Sequence, residues 1–202
     1  MSGMGTGTMK HGATLLALAA LASLSGCISF GADAPDQLLT LTPATSLPAG
    51  SAREGDLTTA LAIQAPSVAQ RLNVTRIPVT TSDSTLAYLP DAVWVEKPAQ
   101  LFRNVLAETI RARGSRLVVD GAALEYGAAT QLMGELVEMG YDAPRSSVVV
   151  RYDAVLTLPD GAVRTQRFEH SISGVLPEAN AVSAALNTAA NRVAGEVADW
   201  VG

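Results

Sequence analysis

Between residues 148 and 158 every second residue is apolar: Val148, Val150, Tyr152, Ala154, Leu156 and Leu158. That period of two belongs to a strand with one buried face, because successive side chains of a strand point to opposite sides. Pro159-Asp160-Gly161 follows and supplies the residue types of a tight turn. The chain then returns over Ala162 to Ser173, with Phe168 and Ile172 on one face and His170 between them. Gln131 to Tyr141 reads as the strand before this pair, which predicts an antiparallel meander. Long strands with one polar face predict a sheet covered on one side only.

Two segments can supply the cover. Pro98 suits a first helical turn, and Leu101, Phe102, Val105, Leu106, Thr109 and Ile110 follow with helical spacing up to the terminator Gly114. From about Glu178 to Val201, after Pro177, a second stripe runs through Val182, Ala185, Leu186, Ala189, Val193, Val197 and Trp200. Shorter strands are expected at Leu38 to Thr42, Thr59 to Ala65, Arg76 to Thr80 and Leu117 to Val119. The expected architecture is α+β: a two-layer sandwich, mostly antiparallel sheet, with two amphipathic helices on one face.

The amino end has a different character. Lys10 and His11 precede an apolar run from Ala13 to Leu24, interrupted only by Thr14 and Ser23. Twelve residues are too few to span a bilayer, which takes roughly 20. A basic start, a short apolar stretch and small residues read as a secretory signal over residues 1–26. Met9 is as suitable a start as Met1, since it places Lys10 at the amino end. The run ends in Leu24-Ser25-Gly26-Cys27, which resembles the lipobox of bacterial lipoproteins. The small residues admit the peptidase, and the thiol carries a diacylglycerol. Cleavage would leave Cys27 as the first residue, acylated again on its new amino group. Several chains hold where one is marginal, because each buried methylene contributes about 0.8 kcal/mol. Residues 27–36 would be the lipidated end and tether, and 37–202 a single domain. Ile28 follows the cysteine where Asp commonly retains a lipoprotein at the inner membrane, which favours the outer membrane, periplasmic face.

Composition removes several classes of function. Residues 27–202 hold all nineteen acids and thirteen of the fourteen bases, a formal charge of −6. A basic footprint for nucleic acid is missing, and broad docking on anionic lipid is disfavoured. One cysteine and two histidines cannot build a Cys/His zinc site. No GxSxG, HExxH, CxxC or Walker-type loop occurs. His170 reads as a half-buried strand residue, with Ser171 and Ser173 alternating away from it. Glu135 and Glu138 are expected on opposite strand faces. No catalytic residue, metal or cofactor is expected beyond the covalent lipid on Cys27. With 48% hydrophobic residues the chain can form a core, so a binding or assembly role is expected, not disorder.

The segment from Leu86 to Pro98 carries Tyr88 and Trp94 on what reads as an irregular connection. Large amphipathic rings outside regular elements often sit at contacts, which marks both as candidate partner-interface residues. The alternative is that both rings pack beneath the connection and fix it to the sheet.

The order of these features resembles the family of ABC-type transport auxiliary lipoproteins, found alongside mammalian-cell-entry (MCE) domain proteins. The matching features are Cys27, Leu38 to Pro43, Ala62-Ile63-Gln64-Ala65-Pro66 and Arg76-Ile77-Pro78-Val79, then Tyr88, Trp94, Pro98-Ala99-Gln100-Leu101-Phe102 and Trp200. A tyrosine expected in the first strand is replaced by Leu38-Leu39. The resemblance implies a non-enzymatic role in lipid traffic, with an inner-membrane permease and ATPase and a periplasmic MCE-domain carrier as partners. The lipoprotein would be the outer-membrane end, docking the carrier. Exposed sheet edges in such a fold need cover, so a homo-oligomer is also expected. The competing readings are an accessory factor for assembly of another envelope complex, and a hydrolase with a diverged site. Cys27→Ser should accumulate as a full-length precursor that takes up no labelled palmitate, read by gel mobility and fractionation; normal processing would refute the lipobox.

Overall fold

The computed structural model describes residues 37–202 apart from 115 and 121. The apolar run, the lipobox with Cys27 and the tether to Asp36 lie outside the described residues. The strands are β1 (Leu61–Ile63), β2 (Ser67–Val68), β3 (Arg76–Ser82), β4 (Thr85–Val93), β5 (Val118–Val119), β6 (Thr130–Asp142), β7 (Ser147–Thr157) and β8 (Val163–Ser173). The helices are α1 (Pro98–Arg113), α2 (Ala122–Gly127) and α3 (Ala179–Val201), with a 3₁₀ turn over Gln70–Leu72.

β6 organises the sheet. One edge pairs with β7 along its whole length, antiparallel, from Gln131 opposite Thr157 to Asp142 opposite Ser147. The other edge takes three short strands in succession, all parallel: β1 at Thr130 to Leu132, β2 at Glu135 and Leu136, and β3 at Tyr141 and Asp142. Beyond these, β1 carries β5 in parallel and β3 carries β4 in antiparallel. β8 closes the far side on β7. The long ladders are antiparallel and the parallel contacts are short, so the expected α+β sandwich stands with a mixed sheet.

α1 and α3 lie on one face, and a single core joins them to the sheet. The alternation in β7 is realised in full: Val148, Val150, Tyr152 and Leu156 are completely buried. β6 follows the same rule until Val137, where the ladder slips between Leu136 and Glu138. Leu132 and Leu136 face the core before that bulge, and Met139 and Tyr141 after it. The carbonyl of Val137 accepts a hydrogen bond of 2.7 Å from Arg71, which stands in the gap between β2 and β3. The bulge also corrects one expectation. Glu135 lies opposite Asp153 and Glu138 opposite Arg151, so both acids share the outer face.

Two further elements differ from the sequence reading. Leu38 to Thr42 forms no strand, only one bridge of Leu39 to Trp94. Asparagines of α3 take over its hydrogen bonds: Thr42 N donates to Asn187 Oδ1 at 2.8 Å, Ala44 N to Asn191 Oδ1 at 2.6 Å, and Asn191 Nδ2 to Thr42 O at 2.9 Å. The stretch from Leu86 is not a loop but the strand β4. A bulge over Leu89 to Ala92 swings Pro90 outward while Leu89 and Ala92 stay buried. Asp91 takes a left-handed conformation (φ 55°) there. Pro90-Asp91 reads as a break in sequence, which is why the strand was hidden. α2 was not anticipated; it flanks β1, near a small second cluster of Ala60, Ala62, Val119 and Ala128 on the sheet's other side.

Gly134 shows how tightly β6 and β7 meet. A Cβ there would stand 2.1 Å from the carbonyl of Asp153 and 2.8 Å from the Tyr152 ring. That ring instead lies across the glycine, its hydroxyl donating to Met133 O at 2.8 Å and its face tilted against Phe102 at 5.2 Å. Burial pushes the Tyr152 phenol pKa up. Gly134→Ala should therefore lower stability by about 2–4 kcal/mol, read by denaturant unfolding, with overpacking as its mechanism.

Candidate interaction face

Trp94 is 1% exposed and belongs to the core, with no hydrogen-bond partner for Nε1 among the described residues. Its backbone joins Leu39 and Thr75, since Trp94 N donates to Thr75 O at 2.7 Å and Val95 N to Leu39 O at 2.8 Å. The expectation that Trp94 offers its ring to a partner is corrected: burial leaves no surface to offer. Tyr88 is half-buried on β4 beneath the Arg76 guanidinium, 4.7 Å from the ring centre. Tyr88 therefore keeps part of its surface in solvent, whereas Trp94 does not.

What the fold leaves open is the outer face of β6, β7 and β8. Alternation puts charges there in cross-strand register. Arg151 bridges Glu138 at 2.7 Å and also pairs with Glu169. Arg167 clasps Asp153 with two bonds of 2.6 Å. The Arg167 hydrogen bond holds the Asp153 carboxyl below its usual range, and Asp153 in turn raises Arg167. Hydrogen bonding to Glu169 likewise raises Arg151. These pairs are partly exposed, so they fix register more than they add stability.

Towards the β6–β7 turn the face sinks into a depression of about 490 Å³. Hydroxyls of Thr80, Ser147, Ser171 and Ser173 line it together with Asp142 and Arg145. Asp142 is 6% exposed and accepts from Arg145 N at 3.1 Å and from its guanidinium at 2.5 Å. Small side chains and balanced charge make a wettable, shallow surface suited to polar contacts with a macromolecule. His170 is half-buried on the opposite, core-facing side, opposite Val150. Ser171 and Ser173 point away from it, as their alternation requires. Among the described residues no group of His, Cys, Asp or Glu is placed to hold a metal ion. The charged face was missed in the sequence although its signal was present: Arg151 with Glu169 and Asp153 with Arg167 are equidistant from the Pro159–Gly161 turn.

A second ion cluster has a fixing role. Arg103 on α1 donates to Ile63 O at 3.0 Å and to Glu125 at 3.0 Å, and pairs with Asp120. Arg111 also reaches Asp120. The cluster joins α1 to the ends of β1 and β5.

The domain is thus a two-layer α+β sandwich whose outer face over β6 to β8 carries a ladder of paired charges. Residues 38–198 match the model of the ABC-type transport auxiliary lipoprotein component family, and the chain belongs to that family. No curated protein matches it. Among solved structures it is similar to protein XCC0632 from Xanthomonas campestris, with 18% identity and a TM-score of 0.68, covering 82% of this chain and 94% of that one. An uncharacterised protein is similar at 12% identity and a TM-score of 0.64, covering 82% and 100%. At such identities the likeness shows the fold alone. Trp94→Ala should cost about 3–5 kcal/mol in denaturant unfolding; a variant of wild-type stability would return the indole to the list of contact residues.

Proposed function

We propose that this lipoprotein is the outer-membrane component of an ABC-type lipid transport system and docks a periplasmic MCE-domain carrier. The observation that carries the reading is the family match over residues 38–198 directly behind a lipobox at Leu24 to Cys27. The lipid on Cys27 would hold the domain, and the nine residues Ile28 to Asp36 reach at most roughly 30 Å. A docking site so close to the membrane raises the effective concentration of a captured carrier without any new contact. The bare outer face of β6 to β8 offers polar, register-fixed contacts for that capture. The transport auxiliary family supports a non-catalytic part in which the permease and ATPase supply the work. Ile28 after the cysteine supports the outer membrane over the inner.

Gentle solubilisation of the envelope, capture by a carboxyl-terminal tag and cross-linking mass spectrometry test this. The expected result is an MCE-domain carrier with cross-links to residues of the mature domain. Recovery of a barrel-assembly or cell-wall machine without any carrier would contradict it.

A further inference from the structure

We propose that the outer side of β4 rests on the lipid surface through an apolar strip of Leu38, Leu86, Val93 and Val95, with Tyr88 among them. The inference rests on the anchor at Cys27 taken up above and is independent of which carrier is docked. Leu38 is 54% exposed, Val95 50% and Leu86 43%, so three of the open large apolar side chains of the domain share this strip. Register sets them on one side of the sheet. Leu86 stands opposite Thr80, Tyr88 opposite Pro78 and Val93 opposite Arg76, positions that alternate with the buried Ile77 and Val79 of β3. Trp94 belongs to the core, so Val93 and Val95 on either side of it face outward. Leu39 bridges Trp94 in parallel, which places Leu38 beside Val93 on that outward side. The outer face of β6 to β8 is built differently, from the paired charges of Arg151 and Arg167.

The chain itself names the occupant. Only the ten residues Ile28 to Gln37 separate Leu38 from Cys27. Fully extended they reach at most roughly 35 Å, so the strip never leaves the neighbourhood of the acyl chains. A tether that short presents the bilayer to the strip at high effective concentration, ahead of any partner that must arrive by diffusion. The composition suits the headgroup level as well. The Tyr88 ring lies under the Arg76 guanidinium, and rings with a polar tip and long cations settle where apolar and wet regions meet. Arg76 and Lys97 balance Asp91 and Glu96, so the contact is apolar in origin and fits zwitterionic headgroups, although the chain as a whole is acidic. Twist keeps the two outer regions apart. Neighbouring strands are rotated by roughly 20–25°, and four steps lead from β4 through β3, β6 and β7 to β8. With β4 on the bilayer, the charged face of β6 to β8 turns away from it and stays open to a carrier.

The test uses the full, lipidated chain in vesicles of phosphatidylethanolamine and phosphatidylglycerol. Cys27 is the only cysteine and its thiol is taken by lipid, so an introduced cysteine is the one free thiol for a polarity-sensitive fluorophore. Leu38→Cys, Leu86→Cys and Val95→Cys are compared with Ser171→Cys, an exposed position on the charged face. Labels in the strip should lie about 5–10 Å into the headgroup–acyl boundary. They should therefore be quenched several-fold more strongly by shallow nitroxide lipids than the label at 171. Leu38→Asp with Val95→Asp should release the label at 86 from quenching while palmitate on Cys27 is retained. Three results would overturn the proposal. One is a palmitoylated chain whose strip labels are quenched no more than the one at 171, whether they stand in water or are shielded by protein. Another is a double aspartate variant that leaves the label at 86 quenched as before. The third, a wild-type chain that takes up no palmitate, would remove the anchor and this contact with it.

Discussion

The structure depends on β6 being paired along both edges at once. Its thirteen residues hold the β7–β8 hairpin on one side and, on the other, the ends of three separate strands from earlier in the chain. Those three strands have two to seven residues each and could not hold a sheet by themselves. They have one template, so the chain from Leu61 to Thr80 must run alongside β6 in parallel. Close approach is part of the same constraint. Gly134 admits the Tyr152 ring, and Gly140 admits Pro78, whose carbonyl would stand 2.6 Å from an added Cβ. Arg71 caps the one carbonyl that the bulge at Val137 frees.

α1 and α3 use up one face of the sheet; on the other, α2 and a small apolar cluster occupy the β1 end, and β6 to β8 carry alternating charge and small hydroxyls. The segment that follows the tether is bound to α3 through Asn187 and Asn191 and to Glu108 of α1, which accepts from Leu47 N at 2.9 Å. Membership in the ABC-type transport auxiliary lipoprotein family makes the domain an accessory component of a transport system.

Much of the fold was legible because its signals are local. The alternation of Val148 to Leu156, the turn at Pro159–Gly161 and the stripes of α1 and α3 each depend on near neighbours in sequence. The misreadings all concern long-range terms. Leu38 to Thr42 looks like a strand, but only Leu39 bonds to β4, and Thr42 is held by side-chain amides of α3 about 145 residues away. Pro90-Asp91 looks like the end of an element, yet tertiary packing of Leu89, Ala92 and Trp94 carries β4 through the bulge. Glu135 and Glu138 were set on opposite faces because a single unpaired residue, Val137, leaves no mark in the period. Trp94 illustrates the general difficulty: an indole between a proline and a helix is equally consistent with a contact and a core, and only burial separates them.

Native-state hydrogen exchange, residue by residue, tests the central place of β6 most directly. Amides of β6 from Leu132 to Tyr141 should exchange only by global unfolding, at the full stability of the domain, while β4 and β8 open at lower cost. Exchange of β6 through local opening, with β8 and β4 still protected, would contradict the account.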